Sequence, residues 1–219
     1  MEKGRASRAD GEATRARLLE SAGRLFAARG FAETTGKEIA ADAAADLASI
    51  NYHFGSRAGL YMAVLAEAHR RFVSLSDLSA LAGGDLPPAA QLEVLIAGLV
   101  ERAANREGWH ARVLARELLS PSSHLEAFFR AEVLPKIAGV RRIVAAITGI
   151  PDDHPALPRC LLSVVAPCAM LLVVGQGLPG PLRQVLAMPQ AQVVRHLHGF
   201  AMAGLEEIAR QYRAGELER

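Results

Sequence analysis

Apolar positions in the first third of the chain recur at helical spacing. Leu18, Leu19, Ala22, Leu25 and Phe26 fall at i, i+1, i+4, i+7 and i+8, a single stripe that predicts an amphipathic helix over residues 14–29. Gly30 follows as a left-handed cap, and Phe31 can fold back over the last turn. Thr35-Gly36-Lys37-Glu38 reads as a capping box that opens a helix of about two turns, Gly36 to Asp42, with Ile39 and Ala40 inward. The small-residue turn Ala43-Ala44-Ala45 leads to Asp46, a good N-cap for a third short helix, Leu47–Phe54. Gly55-Ser56 breaks that helix and can cap a longer one from Arg57 to about Leu75.

Ser76–Pro88, with paired glycines and paired prolines, reads as a linker. Helices are predicted beyond it at about 89–105, 108–119, 123–149, 156–177 and 189–214. Pro121, Pro151 with Pro155, and Pro179 with Pro181 mark the breaks. Pro135 lies inside the third of these and predicts a kink or a split into two helices. No strand-like alternation and no repeat occurs, so the pattern predicts an all-α chain of about nine helices.

Composition agrees with this picture. The 219 residues are 51% hydrophobic and only 5% aromatic, and they suffice for a substantial core. Abundant alanine and leucine favour helices over sheets. The opening MEKGRASRADGEATRAR is polar and does not read as a secretory signal, so a cytoplasmic location is expected. Cys160 and Cys168, eight apart and so about 12 Å along a helix, are too far apart to bridge and read as buried thiols.

The net charge of +2 becomes informative once it is divided by position. Residues 1–75 hold 11 Lys+Arg against 9 Asp+Glu, and the remainder is balanced at 14 and 14. The slight surplus therefore lies in the first third. That permits a local phosphate contact but excludes a general nucleic-acid coat.

Three short helices with a tight turn between the second and third fit a helix-turn-helix, whose second member can enter a major groove. The residues themselves are more specific. Thr14-Arg-Ala-Arg-Leu-Leu-Glu-Ser-Ala22, Leu25-Phe26, Gly30-Phe31, Thr34-Thr35, Ile39-Ala40, Ser49-Ile-Asn-Tyr-His-Phe-Gly-Ser-Arg57 and Leu60-Tyr61 resemble the N-terminal domain of TetR-family transcription regulators, without a gap from about residue 14 to 66. Ile50-Asn-Tyr-His-Phe-Gly55, and less specifically His196-x-x-x-Phe200-x-x-Ala203-Gly204-Leu205, look like the subgroup with a CecR-like C-terminal domain. The resemblance implies a flexible arm over 1–13, a DNA-binding domain over 14–56 and a helical effector-binding and dimerisation domain over 57–219. One departure concerns the turn, where the family places glycine at the position of Ala44. If that residue needs a positive φ, alanine costs roughly 1 kcal/mol there.

The same resemblance assigns base reading to the third helix. Ser49 and Asn51 can hydrogen-bond base edges, and Leu47 and Ala48 can touch thymine methyls. Tyr52, His53, Thr35, Lys37 and Arg57 are expected on phosphates, the last two beside helix N-termini. Arg5 and Arg8 can form an arm reaching the minor groove. Each has a plainer alternative: Ser49 and Ala48 as neutral surface, His53 as a ring partner, Tyr52 and Phe54 as core, Arg5 and Arg8 as a free tail.

Residues 160–175 form the most apolar stretch, and no charge occurs between Arg159 and Arg183. Pro167 interrupts the run, so burial on two sides, against the chain's own core and a second subunit, explains it better than a membrane span. The resemblance implies a homodimer formed through helices about 156–177 and 189–214, reading a palindromic operator in double-stranded DNA. It also places an effector pocket among the helices between about 57 and 175. Trp109, His110, Arg116, Phe128 and Arg130 are candidates there for an unknown small molecule, an arginine pairing with an anionic ligand. Their plainer reading is core for Trp109 and Phe128 and a solvated face for Arg112 and Arg116. His196 and His198 point to different faces and make a poor metal pair, so no metal and no cofactor is expected. No nucleophile elbow, phosphate loop or metal spacing suggests an enzyme. The expected function is a ligand-responsive transcriptional regulator, most simply a repressor. The alternatives are an activator, or a factor of the same fold that binds DNA or protein without a small ligand.

Overall fold

The computed structural model describes residues 2–105, 108–175 and 182–217, and all of the regular structure described is helical. The side chains of residues 2–9, Arg5 and Arg8 among them, lie outside the described ones, as do Pro179 and Pro181. The helices are α1 (Glu2–Arg29), α2 (Gly36–Asp42), α3 (Leu47–Phe54), α4 (Arg57–Phe72), α5 (Leu75–Ala82), α6 (Pro88–Ala104), α7 (His110–Leu119) and α8 (Leu125–Phe128). A π-helical turn, Phe129–Val133, precedes α9 (Leu134–Thr148), α10 (Ala156–Gly175), α11 (Leu182–Ala187) and α12 (Gln190–Ala214).

The chain divides into two compact units, which differ from the expected domains. The first holds Met1–His69 and Glu107–Phe129; the second holds Arg70–Arg106 and Arg130–Arg219. The division differs from the boundary expected at residue 57, since most of α4 and all of α7 and α8 group with the three N-terminal helices. The segment expected as an arm over 1–13 continues α1 from Glu2, since its Ala, Glu and Arg residues suit a helix and no proline interrupts them.

In the first unit the stripe on α1 forms the core, with Leu18, Ala22 and Phe26 fully buried. Gly30 adopts φ 84° and lets Phe31 turn back, its ring centroid 6.0 Å from Phe26 and 5.0 Å from Tyr61. The capping box forms as expected: the Thr35 hydroxyl accepts from the Glu38 amide at 3.2 Å, and Glu38 accepts from the Thr35 amide at 2.8 Å. Ala44 sits at φ 47°, the one non-glycine residue with positive φ among the described residues. An L-residue with a Cβ pays for that conformation and glycine does not, so Ala44→Gly is expected to raise stability by about 1 kcal/mol. A higher urea midpoint with an unchanged slope checks this.

α1 and α2 are tied by Asp42, which accepts from the Ser21 hydroxyl and pairs with Arg24 at 2.7 Å. These bonds, Ser21 first, hold the Asp42 carboxyl below its ordinary range, as Thr35 does for Glu38. Carboxyls lowered in the folded state stabilise it above their unfolded values and lose that contribution as pH falls through the folded ones. A falling urea midpoint from about pH 5 downward is expected, with the loss reduced in Asp42→Asn.

In the second unit α6 is central, with α9, α10 and α12 around it and α5 alongside. α5 lies where a linker was expected. Ser74 caps it by accepting from the Asp77 amide at 3.4 Å, and Leu78 is buried over Gly139 of α9, where a side chain at 139 would collide with it. The apolar spacing of Leu75, Leu78 and Leu81 outweighs the glycines and prolines that follow. The kink or split expected around Pro135 takes the form of a π turn that ends at Val133 and interrupts the helical run without breaking it, with Pro135 in the first turn of α9. α11 was not expected. Among the described helices α10 is long and apolar enough to cross a membrane, yet half of its most apolar window is buried within its own unit.

Candidate nucleic-acid interface

α3 is anchored chiefly by Ile50, its one fully buried side chain, and leaves several others exposed. Ile50 is buried between α1 and α2, while Leu47, Ala48, Asn51 and Tyr52 are exposed, Tyr52 by 84%. Ser49 and His53 are half-buried, with the His53 ring 4.9 Å from Tyr52. Tyr52 is thus not core, and an exposed aromatic of this size beside small polar groups is what a groove-reading helix presents. Lys37, at the start of α2, is exposed and has no ion pair among the described residues, as a phosphate contact requires. Thr35 is exposed but its hydroxyl is engaged in the capping box.

Arg57 departs from expectation. Its guanidinium donates to the Phe31 carbonyl at 2.6 Å and the Thr34 carbonyl at 2.5 Å and lies 3.9 Å from the Phe31 ring centroid. Those inward bonds, both from one guanidinium nitrogen, give it a positioning role at the α1–α2 turn. Arg15 also reaches α3. Its guanidinium lies 5.1 Å from the centroid of the half-buried Phe54, beside the end of α3, and the i to i+39 separation left no local signal.

The candidate effector residues are mostly occupied within the first unit. Trp109 is 3% exposed, its ring seated on Gly23 of α1 where a Cβ would overlap it, and its indole N–H donates to Glu20 at 2.8 Å. His110 stacks on that ring at 3.9 Å. Arg116 closes the C-terminal end of α1, donating to the Ala28 carbonyl at 3.3 Å and the Arg29 carbonyl at 2.8 Å. A cation there also suits the helix dipole. Phe128 is buried with its ring 5.5 Å from His69, and Arg130 is exposed in the second unit.

Between α1, α4 and α7 lies a buried polar contact. Tyr61 donates to Glu117 at 2.5 Å, and Glu117 also accepts from the Ser122 amide at 3.1 Å and hydroxyl at 2.8 Å. Burial, and then Glu117, push the Tyr61 hydroxyl well above its ordinary pKa, so it stays a donor. A buried carboxylate with three donors is held in place rather than penalised.

The second unit contains a cavity of about 560 Å³ whose wall includes Phe72, Leu78, Leu81, Val94, Leu99 and Arg102. None of the five candidate effector residues lines it. Both cysteines are buried, and burial pushes the Cys168 thiol up to about 11.

Comparison with known proteins fits this geometry. Residues 18–64 match the model of the tetR family of bacterial regulatory proteins. Residues 88–206 match the C-terminal domain of the HTH-type transcriptional dual regulator CecR. No curated protein matches the sequence. Among solved structures, the fatty acid degradation regulator FadR from Bacillus halodurans superposes with a TM-score of 0.68 at 12% identity, covering 88% of this chain and 96% of that one. A TetR-like regulator from Rhodococcus sp. RHA1 does so at 0.58 and 20% identity, covering 92% and 96%. AibR, solved with isovaleryl coenzyme A and operator DNA, does so at 0.61 and 17%, covering 85% and 97%. The two models together span α2, α3 and most of the second unit, and the chain belongs to the TetR family of transcriptional regulators, with a CecR-like C-terminal domain.

Proposed function

We propose that this regulator is a repressor that binds a palindromic operator as a homodimer and is released by a small-molecule effector. The observation that carries the reading is that α7 is built into the DNA-reading unit. Trp109 on Gly23 and Arg116 on the end of α1, with Glu117 on Tyr61 of α4, make α1, α4 and α7 one packed body. A ligand that favours a different position of α7 therefore favours a different position of α1 and the reading helix it supports. This is differential stabilisation of two states, which allosteric release requires.

The dimer fits the exposed apolar residues of the two long C-terminal helices. On α10 Leu162 is 68% exposed, with Ala166 and Met170 one and two turns on; on α12 Phe200 is 76% exposed. The effector site is better sought in the α5–α6 cavity than at Trp109 or Arg116, since its size lies within the range of small-molecule sites and its wall is mostly apolar; a ligand there would act on α7 through α6, the helix that precedes it in the chain. AibR, a structural neighbour, binds an acyl-coenzyme A, so such thioesters are the first probes. A footprint on a site selected from random DNA should show two half-sites about 34–36 Å apart, or a multiple of that. Loss of that footprint on addition of isovaleryl or longer acyl-coenzyme A supports release by an acyl thioester, and persistence at saturating thioester contradicts it. Activation is the second reading, favoured by the matched C-terminal model, which is named for a dual regulator; it predicts that a reporter falls when the protein is removed.

A further inference from the structure

We propose that the Asp46 carboxylate is a base-reading group that selects cytosine at one position of each half-site. The inference rests on α3 being the reading helix. Asp46 stands at the N-cap of α3 with extended backbone, φ −75° and ψ 146°, and its main-chain carbonyl accepts from the Ser49 amide at 2.9 Å. Its side chain does not do what an N-cap carboxylate ordinarily does, for it makes no bond to the free amides of the first turn. It is exposed and has no ion-pair partner among the described residues. The left-handed residue Ala44 turns the chain just before it, and the exposed Leu47, Ala48 and Asn51 follow it on the reading helix.

A free carboxylate on the leading end of a groove-reading helix is a selective group because it only accepts. Phosphate oxygens repel it, as do the O6 and N7 of guanine and the O4 of thymine. Adenine offers its N6 amine beside the N7 acceptor, which opposes a second carboxylate oxygen. Cytosine presents the N4 amine with no acceptor on its major-groove edge, and carboxylates accept from it. The charge also weakens sequence-independent binding, in keeping with the small positive surplus of the first 75 residues. If Asp46 were only a helix cap, serine would serve equally well.

The experiment selects bound sites from random duplex DNA with the full-length protein and with Asp46→Ser, which keeps a capping side chain and removes the charge. The wild-type pool is expected to be an inverted repeat with cytosine at one symmetry-related position. Asp46→Ser should lose preference at that position alone, on the order of ten-fold, while its binding to unrelated DNA rises. Asp46→Asn, which also caps helices, should shift the preference there toward adenine and serves as the second test if the serine variant fails to fold. A serine or asparagine pool identical to wild type at every position overturns the role of Asp46 alone. A wild-type pool without any enriched sequence overturns the reading of α3 along with it.

Discussion

Trp109→Ala is expected to lower stability by about 3–5 kcal/mol, the range for removing a large buried aromatic. The side chain is 3% exposed, fills the notch that Gly23 leaves in α1, and holds Glu20 through its indole N–H. Its loss opens a cavity between α1 and α7 and removes the partner of a carboxylate. The reverse change at the same contact, Gly23→Ala, forces the ring out of its seat and should cost at least about 1–3 kcal/mol by overpacking. The two act on one contact, so the double variant should cost less than the sum of the singles. Urea unfolding of the four proteins measures the coupling. In the proposed mechanism the variants that still fold at low temperature keep operator binding but respond less to effector, because α7 no longer moves α1.

The second large effect concerns assembly. Leu162→Asp combined with Phe200→Asp places charges on the most exposed apolar positions of α10 and α12. If those faces meet a second copy, each change removes an apolar anchor and buries an unpaired carboxylate. The dimer dissociation constant should then rise by roughly a thousand-fold or more. Sedimentation would show a monomer at concentrations where the wild type is a dimer. Operator affinity would fall with it, since one reading head alone engages one half-site. Both side chains are exposed within the single chain, so the helical circular dichroism should be retained. A double variant that remains a dimer places the interface elsewhere.

The parts of this structure that were legible in the sequence are those decided by residues close together. The Thr35–Glu38 capping box, the glycine caps at Gly30 and Gly55 and the short helix Leu47–Phe54 all formed where spacing placed them. The positive φ of Ala44 was legible as well, through the departure from glycine at that turn. What was not legible depends on distant partners. Gly23 reads in sequence as an ordinary helix position, and nothing nearby announces that Trp109 will sit on it. Arg116 looked like half of a solvated pair with Arg112, yet it closes a helix 87 residues earlier. Arg57 looked free for phosphate because the Phe31 and Thr34 carbonyls that hold it become a site only after the turn folds. In α5 the glycines and prolines suggested a linker, and Leu78 found its place because Gly139 leaves room on another helix.

The claim on which the rest depends is that the exposed face of α3, with Lys37 at the start of α2, holds operator DNA. The most direct measurement is a gel shift on a selected operator with Lys37→Ala/Tyr52→Ala, accompanied by circular dichroism. Both side chains are exposed and neither supports the core, so the helical signal should be unchanged. Retention of the operator should be lost at concentrations where the wild type binds fully. A double variant that folds and retains the operator as well as the wild type contradicts the account.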